Sequence, residues 1–161
     1  MKKGFTLIEL LVAATIIGIL AVFATVQYRN TVWEARWNHA KAMTDHLASA
    51  VERARFDYPG LKFQLETMAN TTSSQCPYDP VDMSSQYHPY SLIQCNYAEK
   101  ADWQGEYFRY LICLDNPSCK TEGNGALACV FINSDAVSKL PSHYRNYYYC
   151  VNDDGTKRGN S

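Results

Sequence analysis

The hydrophobic and polar positions divide the chain into three stretches of different character. Residues Leu10 to Tyr28 carry no charged side chain, and positions 5–28 include thirteen Leu, Ile, Val or Phe residues. Each such residue favours insertion into a bilayer by roughly 0.3–0.6 kcal/mol, which sums to about 4–8 kcal/mol. An α-helix over these 24 residues extends about 36 Å, enough to cross a ~30 Å hydrocarbon core. The pattern predicts a membrane-spanning helix over residues 5–28.

The second stretch has the periodicity of an amphipathic helix. Apolar or small side chains recur at steps of three and four residues and form one stripe. The stripe consists of Trp33, Trp37, Ala40, Thr44, Leu47, Val51, Ala54 and Tyr58. No Gly or Pro occurs between Gly18 and Pro59, and Pro59-Gly60 is a strong stop signal. We therefore expect one continuous helix over residues 5–58, about 80 Å long, with residues 29–58 as its amphipathic half.

The third stretch, residues 59–161, has the turn residues and apolar runs that are typical of strands. The predicted strands are Glu106 to Leu114, Leu127 to Asn133 and Tyr144 to Val151, with Ser91 to Ala98 as a weaker fourth candidate. An antiparallel sheet of about three to four strands, packed on the helix stripe, would give both elements a core. We predict an α+β head behind a long N-terminal helix.

Composition limits the classes of function. The formal net charge of −1 argues against a nucleic-acid partner, because such proteins usually have a strongly basic surface. We find none of the common nucleophile, zinc-protease or phosphate-loop motifs, so neither an enzyme nor a cofactor is predicted. His39 and His46 would share a helix face, but no carboxylate or Cys completes a metal site there, and we predict no metal.

The head contains all six cysteines, which are Cys76, Cys95, Cys113, Cys119, Cys129 and Cys150. An even number confined to one domain favours disulfides formed in an oxidising compartment. Free thiols or a metal site are the alternative, although no C-x-x-C pair or zinc-type spacing is present. Six cysteines allow fifteen pairings. Connectivity is therefore not readable from the sequence, and our guess is Cys76–Cys95 in the loop region, Cys113–Cys119 as a small local loop and Cys129–Cys150 between strands.

The first residues form a short basic leader, with Lys2, Lys3 and Gly4 ahead of Phe5 and a lone acid at Glu9. The lysines predict a cytoplasmic N-terminus, which places the head outside the cytoplasm. An ordinary secretory signal is cleaved after its apolar core. Cleavage after Ala24, which would release a secreted disulfide-rich binding domain, is therefore one alternative.

The string KKGFTLIELLVAATIIGILAVFA closely resembles the N-terminus of type IV prepilins and the related pseudopilins, and the resemblance covers roughly residues 1–58. It implies a pilin-like fold and removal of a leader, residues 1–4, by a prepilin peptidase that cleaves between Gly4 and Phe5. It also implies N-methylation of Phe5 and storage in the bacterial inner membrane. Assembly machinery would then extract the subunit into a helical polymer of identical or related pilins, an extracellular type IV pilus.

The resemblance also gives Glu9 a role. A carboxylate at the centre of an inserted helix costs roughly 2.5–3.5 kcal/mol, and less near the helix end, where it reaches the headgroups. In a filament core it would need a cationic partner, and the family points to the Phe5 amine of a neighbouring subunit. A minor pilin or a pseudopilin of a type II secretion system remains an alternative. Many members carry a proline near the position of Val26, which this chain lacks.

Two short motifs in the head have two interpretations each. The segment Asn152 to Thr156 resembles a fragment of a calcium loop with Asp153 and Asp154 as ligands, but it lacks the distal acid and full spacing of such loops, so a polar turn is the favoured interpretation. Asn70-Thr71-Thr72 matches the N-glycosylation sequon in a predicted exposed loop, but matches of this length are common by chance.

Overall fold

The structure, a computed structural model, describes residues 6–64, 66–78, 85–114 and 126–160. The chain divides into two units, the first ending at His39 and the second beginning at Ala40. Helix α1 spans Leu7–Asp57, so the predicted long helix is confirmed. It ends just before Gly60, whose φ of 94° lies in the left-handed region that glycine adopts without strain.

Two short elements precede the main sheet in the second unit. Strands β1 (Lys62–Phe63) and β2 (Gln86–Tyr87) pair in parallel, and neither was predicted. The single-turn helix α2 spans Ser91–Gln94. The weaker prediction of a strand from Ser91 to Ala98 is therefore wrong. The backbone turns at this point because Asn96, with a φ of 60°, reverses its direction and a disulfide holds Cys95.

The main sheet is antiparallel, with the order β3-β4-β5-β6. Its strands are β3 (Phe108–Ile112), β4 (Ala126–Ile132), β5 (Tyr148–Asn152) and β6 (Lys157–Asn160). The three main strand predictions are confirmed, but the third begins at Tyr148 rather than Tyr144. A 3₁₀ turn occupies Ser142–Tyr144 instead, because Pro141 has a fixed φ and cannot donate to a sheet ladder.

The register assigns the two faces of this sheet. Tyr110, Val130 and Tyr149 lie opposite one another across β3, β4 and β5, so their side chains share one face. Cys129 and Cys150 are also paired across β4 and β5 and lie on the other face. Strand β4 is buried from Ala126 to Phe131, as expected for a central strand.

In the second unit, α1 lies on the first of these faces, where the Tyr149 hydroxyl reaches Asp45 of the helix. Its stripe positions Ala40, Thr44, Leu47, Val51 and Ala54 are buried, which confirms the predicted stripe in this part of the helix. The buried Thr44 hydroxyl donates to the Ala40 carbonyl oxygen at 2.9 Å, so it needs no other partner. The predicted α+β fold, a long helix on an antiparallel sheet, is thereby confirmed.

Polar contacts between α1 and the β5–β6 hairpin join the same layers. The Tyr149 hydroxyl donates to Asp45 Oδ1 at 2.7 Å, and Lys157 Nζ lies 2.8 Å from Asp45 Oδ2. Arg55 Nη1 lies 2.6 Å from Asp153 Oδ1 in the hairpin turn. One carboxylate of α1 therefore contacts both strands of the hairpin.

Candidate functional site

The first unit carries a long exposed apolar surface. Leu7, Ile8, Leu10, Leu11, Val12, Ile16, Ile17, Ile19, Leu20, Val22, Phe23 and Val26 are all at least half exposed. By length and composition, α1 could cross a membrane, since one 18-residue window has a mean hydropathy of 2.6. Exposed apolar surface of this extent is unfavourable in water, so lipid or other chains are its natural surroundings.

Thr6 and Glu9 close the first turn of α1 by reciprocal hydrogen bonds. The Thr6 backbone N–H donates to Glu9 Oε2 at 2.9 Å, and the Thr6 hydroxyl donates to the same oxygen at 2.8 Å. The Glu9 backbone N–H lies 3.4 Å from Thr6 Oγ1 and 3.1 Å from the Thr6 carbonyl oxygen. This arrangement is a capping box, in which residues at N-cap and N3 satisfy each other's free backbone donors.

The remaining polar groups of the apolar segment are bonded within the helix. Thr15 donates to the Val12 carbonyl oxygen at 2.8 Å, and Thr25 donates to the Ala21 carbonyl oxygen at 2.8 Å. Helix α1 continues through Val26, where many prepilins have a proline. The segment thus presents hydrocarbon to its surroundings and keeps its hydroxyls satisfied, as a helix in lipid must.

Only some of the predicted site residues lie within the part of the chain that the structure describes. Gly4 and Phe5, where leader cleavage and methylation were predicted, lie outside the described residues. Glu9 lies in the first turn of α1, with its carboxylate bonded to Thr6. Sequence reasoning missed Thr6, although the Thr-x-x-Glu spacing is the signature of a capping box and would have indicated it.

Two expected disulfides are present in the head. Cys76–Cys95 links the loop before β2 to the residue after α2, and Cys129–Cys150 links directly paired positions of β4 and β5. Cys113 is also disulfide-bonded. Cys119, its expected partner, lies outside the described residues.

The segment Asn152 to Thr156 forms the turn between β5 and β6. Asp154 Oδ1 accepts hydrogen bonds from the backbone N–H of Thr156 at 2.9 Å and from its hydroxyl at 2.6 Å. These bonds lower the pKa of Asp154 below its usual range. The other carboxylate, Asp153, pairs with Arg55. In the part of the chain that the structure describes, no group of three or more His, Cys, Asp or Glu side chains could hold a metal ion.

The Asn70 side chain is bound to a distant backbone segment. Its Nδ2 donates to the Ala101 carbonyl oxygen at 2.6 Å, and its Oδ1 accepts from the Ala101 N–H at 3.2 Å. This pair of bonds joins two loops 31 residues apart along the chain. The nitrogen that a glycan would modify is therefore a structural donor here.

Comparison with known proteins defines the class of the N-terminal segment. Residues 1–25 match the family model described as the prokaryotic N-terminal methylation motif. The resemblance of this segment to prepilins is thereby confirmed.

Particular relatives match slightly further along the chain. The type IV major fimbrial protein FimA of Dichelobacter nodosus is 39% identical over 57 residues, which are 35% of this chain and 36% of the relative. The fimbrial protein of Moraxella nonliquefaciens is 39% identical over 54 residues, 34% of this chain and 35% of the relative. The chain thus matches about a third of the length of these fimbrial proteins. No solved structure matches it.

Proposed function

We propose that this chain is a structural pilin subunit that polymerises into an extracellular type IV pilus and is not an enzyme. Prepilin peptidase cleaves between Gly4 and Phe5, and Phe5 is then N-methylated. The subunit waits in the bacterial inner membrane before the pilus machinery assembles it. The observation that carries the proposal is the methylation motif at residues 1–25, which is continuous with the exposed apolar surface of α1.

The exposed apolar surface contacts two different surroundings in succession. In the membrane its side chains contact lipid, and in the filament the same side chains contact α1 helices of neighbouring subunits. The apolar side chains are out of contact with water both in lipid and in a helix bundle, so transfer between the two buries little further apolar area. The free-energy difference is therefore small, and close packing and polar contacts decide whether assembly is favourable.

Glu9 supplies such a polar contact. Both hydrogen bonds from Thr6 reach Oε2, and among the described residues no hydrogen bond reaches Oε1. Oε1 is therefore available to the Phe5 ammonium group of an adjacent subunit. A subunit out of register would leave a carboxylate and an ammonium group unpaired in an apolar core, which is strongly unfavourable. The pair thus sets the axial position of each incoming subunit.

The N-terminus of the exported protein tests this function. Mass spectrometry of sheared surface material should find a mature chain that starts at N-methylated Phe5, and electron microscopy should show filaments made of it. A mature chain that starts at Thr25 would instead establish a secreted binding domain. Methylated Phe5 in short or rare filaments would favour a pseudopilin or a minor pilin.

Replacement of Glu9 tests the assembly contact. We expect Glu9→Ala to be inserted and processed normally, because the apolar segment and the cleavage site are unchanged. Filament yield, measured by immunoblot of sheared material, should fall at least about tenfold, the equivalent of about 1.4 kcal/mol per contact. Glu52→Ala removes an exposed carboxylate from the outer part of the same helix and should leave the yield unchanged. Normal filaments from Glu9→Ala would refute the role.

A further inference from the structure

The head contains a hollow of about 320 Å³ beside the β1–β2 pair, far along the chain from the exposed apolar surface of α1. Small-molecule sites are typically concave, begin at about 300 Å³, and combine aromatic surface with a few polar groups. The lining includes three glutamine amides and three aromatic rings, which belong to Gln64, Gln86, Gln94, Tyr87, His88 and Tyr90.

The chemistry of the lining selects a neutral ligand. None of the described residues that line the hollow is Lys, Arg, Asp or Glu, and the lining His88 is already engaged by Glu66, so no unpaired charge among them would compensate a charged group. Glutamine amides and tyrosine hydroxyls each donate and accept hydrogen bonds, which matches a ligand rich in hydroxyl groups. The rings add apolar surface of fixed shape.

One wall of the hollow is held rigid by a series of contacts. The His88 ring is parallel to the Tyr90 ring, with 4.8 Å between centroids and 9° between planes. His88 Nδ1 lies 2.8 Å from Glu66 Oε2. The Ser91 hydroxyl donates to the His88 carbonyl oxygen at 2.6 Å. These partners fix the rings before any ligand arrives, which reduces the entropic cost of binding.

Another part of the lining is held by a covalent link. Pro77 follows Cys76 and Gln94 precedes Cys95, and the Cys76–Cys95 disulfide therefore fixes both lining residues. Gln64 is fixed as well, because its backbone N–H donates to the Tyr87 carbonyl oxygen at 2.8 Å and its side chain donates to the Gln86 carbonyl oxygen at 3.2 Å. Both parts of the lining are thus held in place before a ligand binds.

We propose that this hollow binds one neutral pyranose unit of a glycan. A pyranose has an apolar face of C–H groups, which fits an aromatic ring, and a rim of hydroxyl groups, which fits the amides. A proline-rich peptide also binds to aromatic surfaces, but it needs an extended groove with several slots. The walls of this single hollow instead carry three amides. Gln94 also borders a second hollow of about 460 Å³, whose lining includes the polar Ser73 and Asn96 as well as the charged Glu99 and Lys100, and which has room for a further sugar unit.

Saturation-transfer NMR tests the proposal on the full-length chain, without any requirement for filaments. The chain is held in micelles of lauryldimethylamine oxide, a detergent without a sugar headgroup. It is titrated with glucose, galactose, N-acetylglucosamine and N-acetylgalactosamine, and separately with a proline-rich decapeptide. We expect at least one sugar to bind with a dissociation constant on the order of 1–10 mM, as befits a ligand with few atoms. We expect no saturation transfer to the peptide.

Matched variants locate the binding. Gln86→Ala and Tyr90→Leu should each weaken sugar binding about tenfold or more, since each removes a wall contact. Gln75→Ala, beside the same disulfide, and Tyr107→Leu, before β3, change the same residue types outside the hollow and should bind as the parent does. Circular dichroism and non-reducing mass spectrometry confirm folding and intact disulfides in every variant. No transfer to any sugar at about 50 mM, unchanged binding by Gln86→Ala, or binding of the peptide alone would overturn the proposal.

Discussion

Thr6 is a positioning residue for the carboxylate of Glu9. It donates two hydrogen bonds to one oxygen of that carboxylate, at 2.9 and 2.8 Å. Within hydrocarbon, where water does not replace missing partners, a carboxylate with bonds inside its own turn costs less to insert. The same bonds fix the rotamer of Glu9 and so fix the direction of its second oxygen. Thr6 thereby orients the oxygen that we propose pairs with the Phe5 ammonium group of an adjacent subunit.

Replacement of Thr6 by the isosteric Val tests this role in the unassembled chain. Thr6→Val removes the hydroxyl donor and the cap acceptor, and loss of such a cap costs about 0.5–2 kcal/mol. We expect the amides of Glu9 and Leu10 to exchange faster by the corresponding factor, measured by hydrogen–deuterium exchange in micelles. Thr6→Ser keeps the hydroxyl and should exchange like the parent.

Thr15→Val is the matched control for a lost hydroxyl in the same helix. Thr15 donates to the Val12 carbonyl oxygen and does not serve a backbone N–H. We expect the exchange of the first turn to be unaffected by this substitution. Equal acceleration in Thr6→Val and Thr15→Val would mean that the cap is not what holds the turn.

Individual residues differ in how far the sequence predicts them. The Thr6–Glu9 pair is local, and its spacing of three contains the whole signal. The bonds between Asn70 and Ala101 carry no such signal, because they join residues 31 positions apart. Their geometry follows from how two loops meet, which depends on the packing of the whole head. The hollow beside β1 and β2 was unpredictable for the same reason.

At the scale of elements, the Cys129–Cys150 disulfide stabilises the centre of the sheet. It joins directly paired residues of β4 and β5 that are 21 positions apart. We expect the double variant Cys129→Ala/Cys150→Ala to lose about 3 kcal/mol in free energy of unfolding, mainly because the unfolded chain gains entropy. Urea unfolding of the full-length chain in micelles, followed by tryptophan fluorescence, measures this loss.

The other disulfide provides a comparison of equal loop length. Cys76→Ala/Cys95→Ala opens a link of 19 positions and should cost a similar free energy of unfolding. Amide exchange in β4 and β5 should rise locally only in the first double variant, because only that link lies within the sheet. Equal local effects in both would show that the cross-strand position has no special importance.

Elements with an apolar pattern were predictable, and elements without one were not. Helix α1 and strands β3, β4 and β5 bury side chains, so hydrophobicity marks them along the sequence. All four residues of β6 are exposed. This strand forms through its pairing with β5 and through the contact of Lys157 with Asp45. Only glycine fits at position 159, because an added Cβ would lie 2.6 Å from the Tyr148 carbonyl oxygen. The sequence gives no sign of this, since the requirement depends on the position of β5.

At the scale of the molecule, buried tyrosines lower the free energy of unfolding as the pH rises into the alkaline range. Burial, followed by the Asp102 carboxylate, raises the pKa of Tyr110 to about 12. An unfolded tyrosine has a pKa of about 10 and ionises first, so the stabilising contribution is complete below pH 10 and is lost as pH rises towards 12. Between pH 9 and 11 we expect Tyr110 to account for a loss of about 1 kcal/mol in free energy of unfolding.

Tyr110→Phe isolates that contribution. It retains the ring that packs edge-on against Trp103, with 5.5 Å between centroids, and removes only the ionisable hydroxyl. Urea unfolding at pH 9 and 11 should show a stability loss smaller than the parent's by about 1 kcal/mol. Part of the dependence should remain, since burial also raises the pKa of Tyr78 and Tyr97. Tyr107→Phe reports the effect of losing a hydroxyl at a less buried position. Parallel pH profiles for the parent and Tyr110→Phe would contradict the assignment to Tyr110.

The contacts of Asp45 tie completion of the head to its last strands. Asp45 accepts from Tyr149 and pairs with Lys157, residues 104 and 112 positions later. Contacts of such separation form only after the intervening chain has ordered, because loop closure costs entropy before it is rewarded. In the export proposed above, residues 29–57 of α1 cross the membrane before the β5–β6 hairpin, because they precede it along the chain. Export of this kind would leave the apolar face of that helix uncovered until the hairpin arrives, and exposed apolar surface of this sort promotes aggregation.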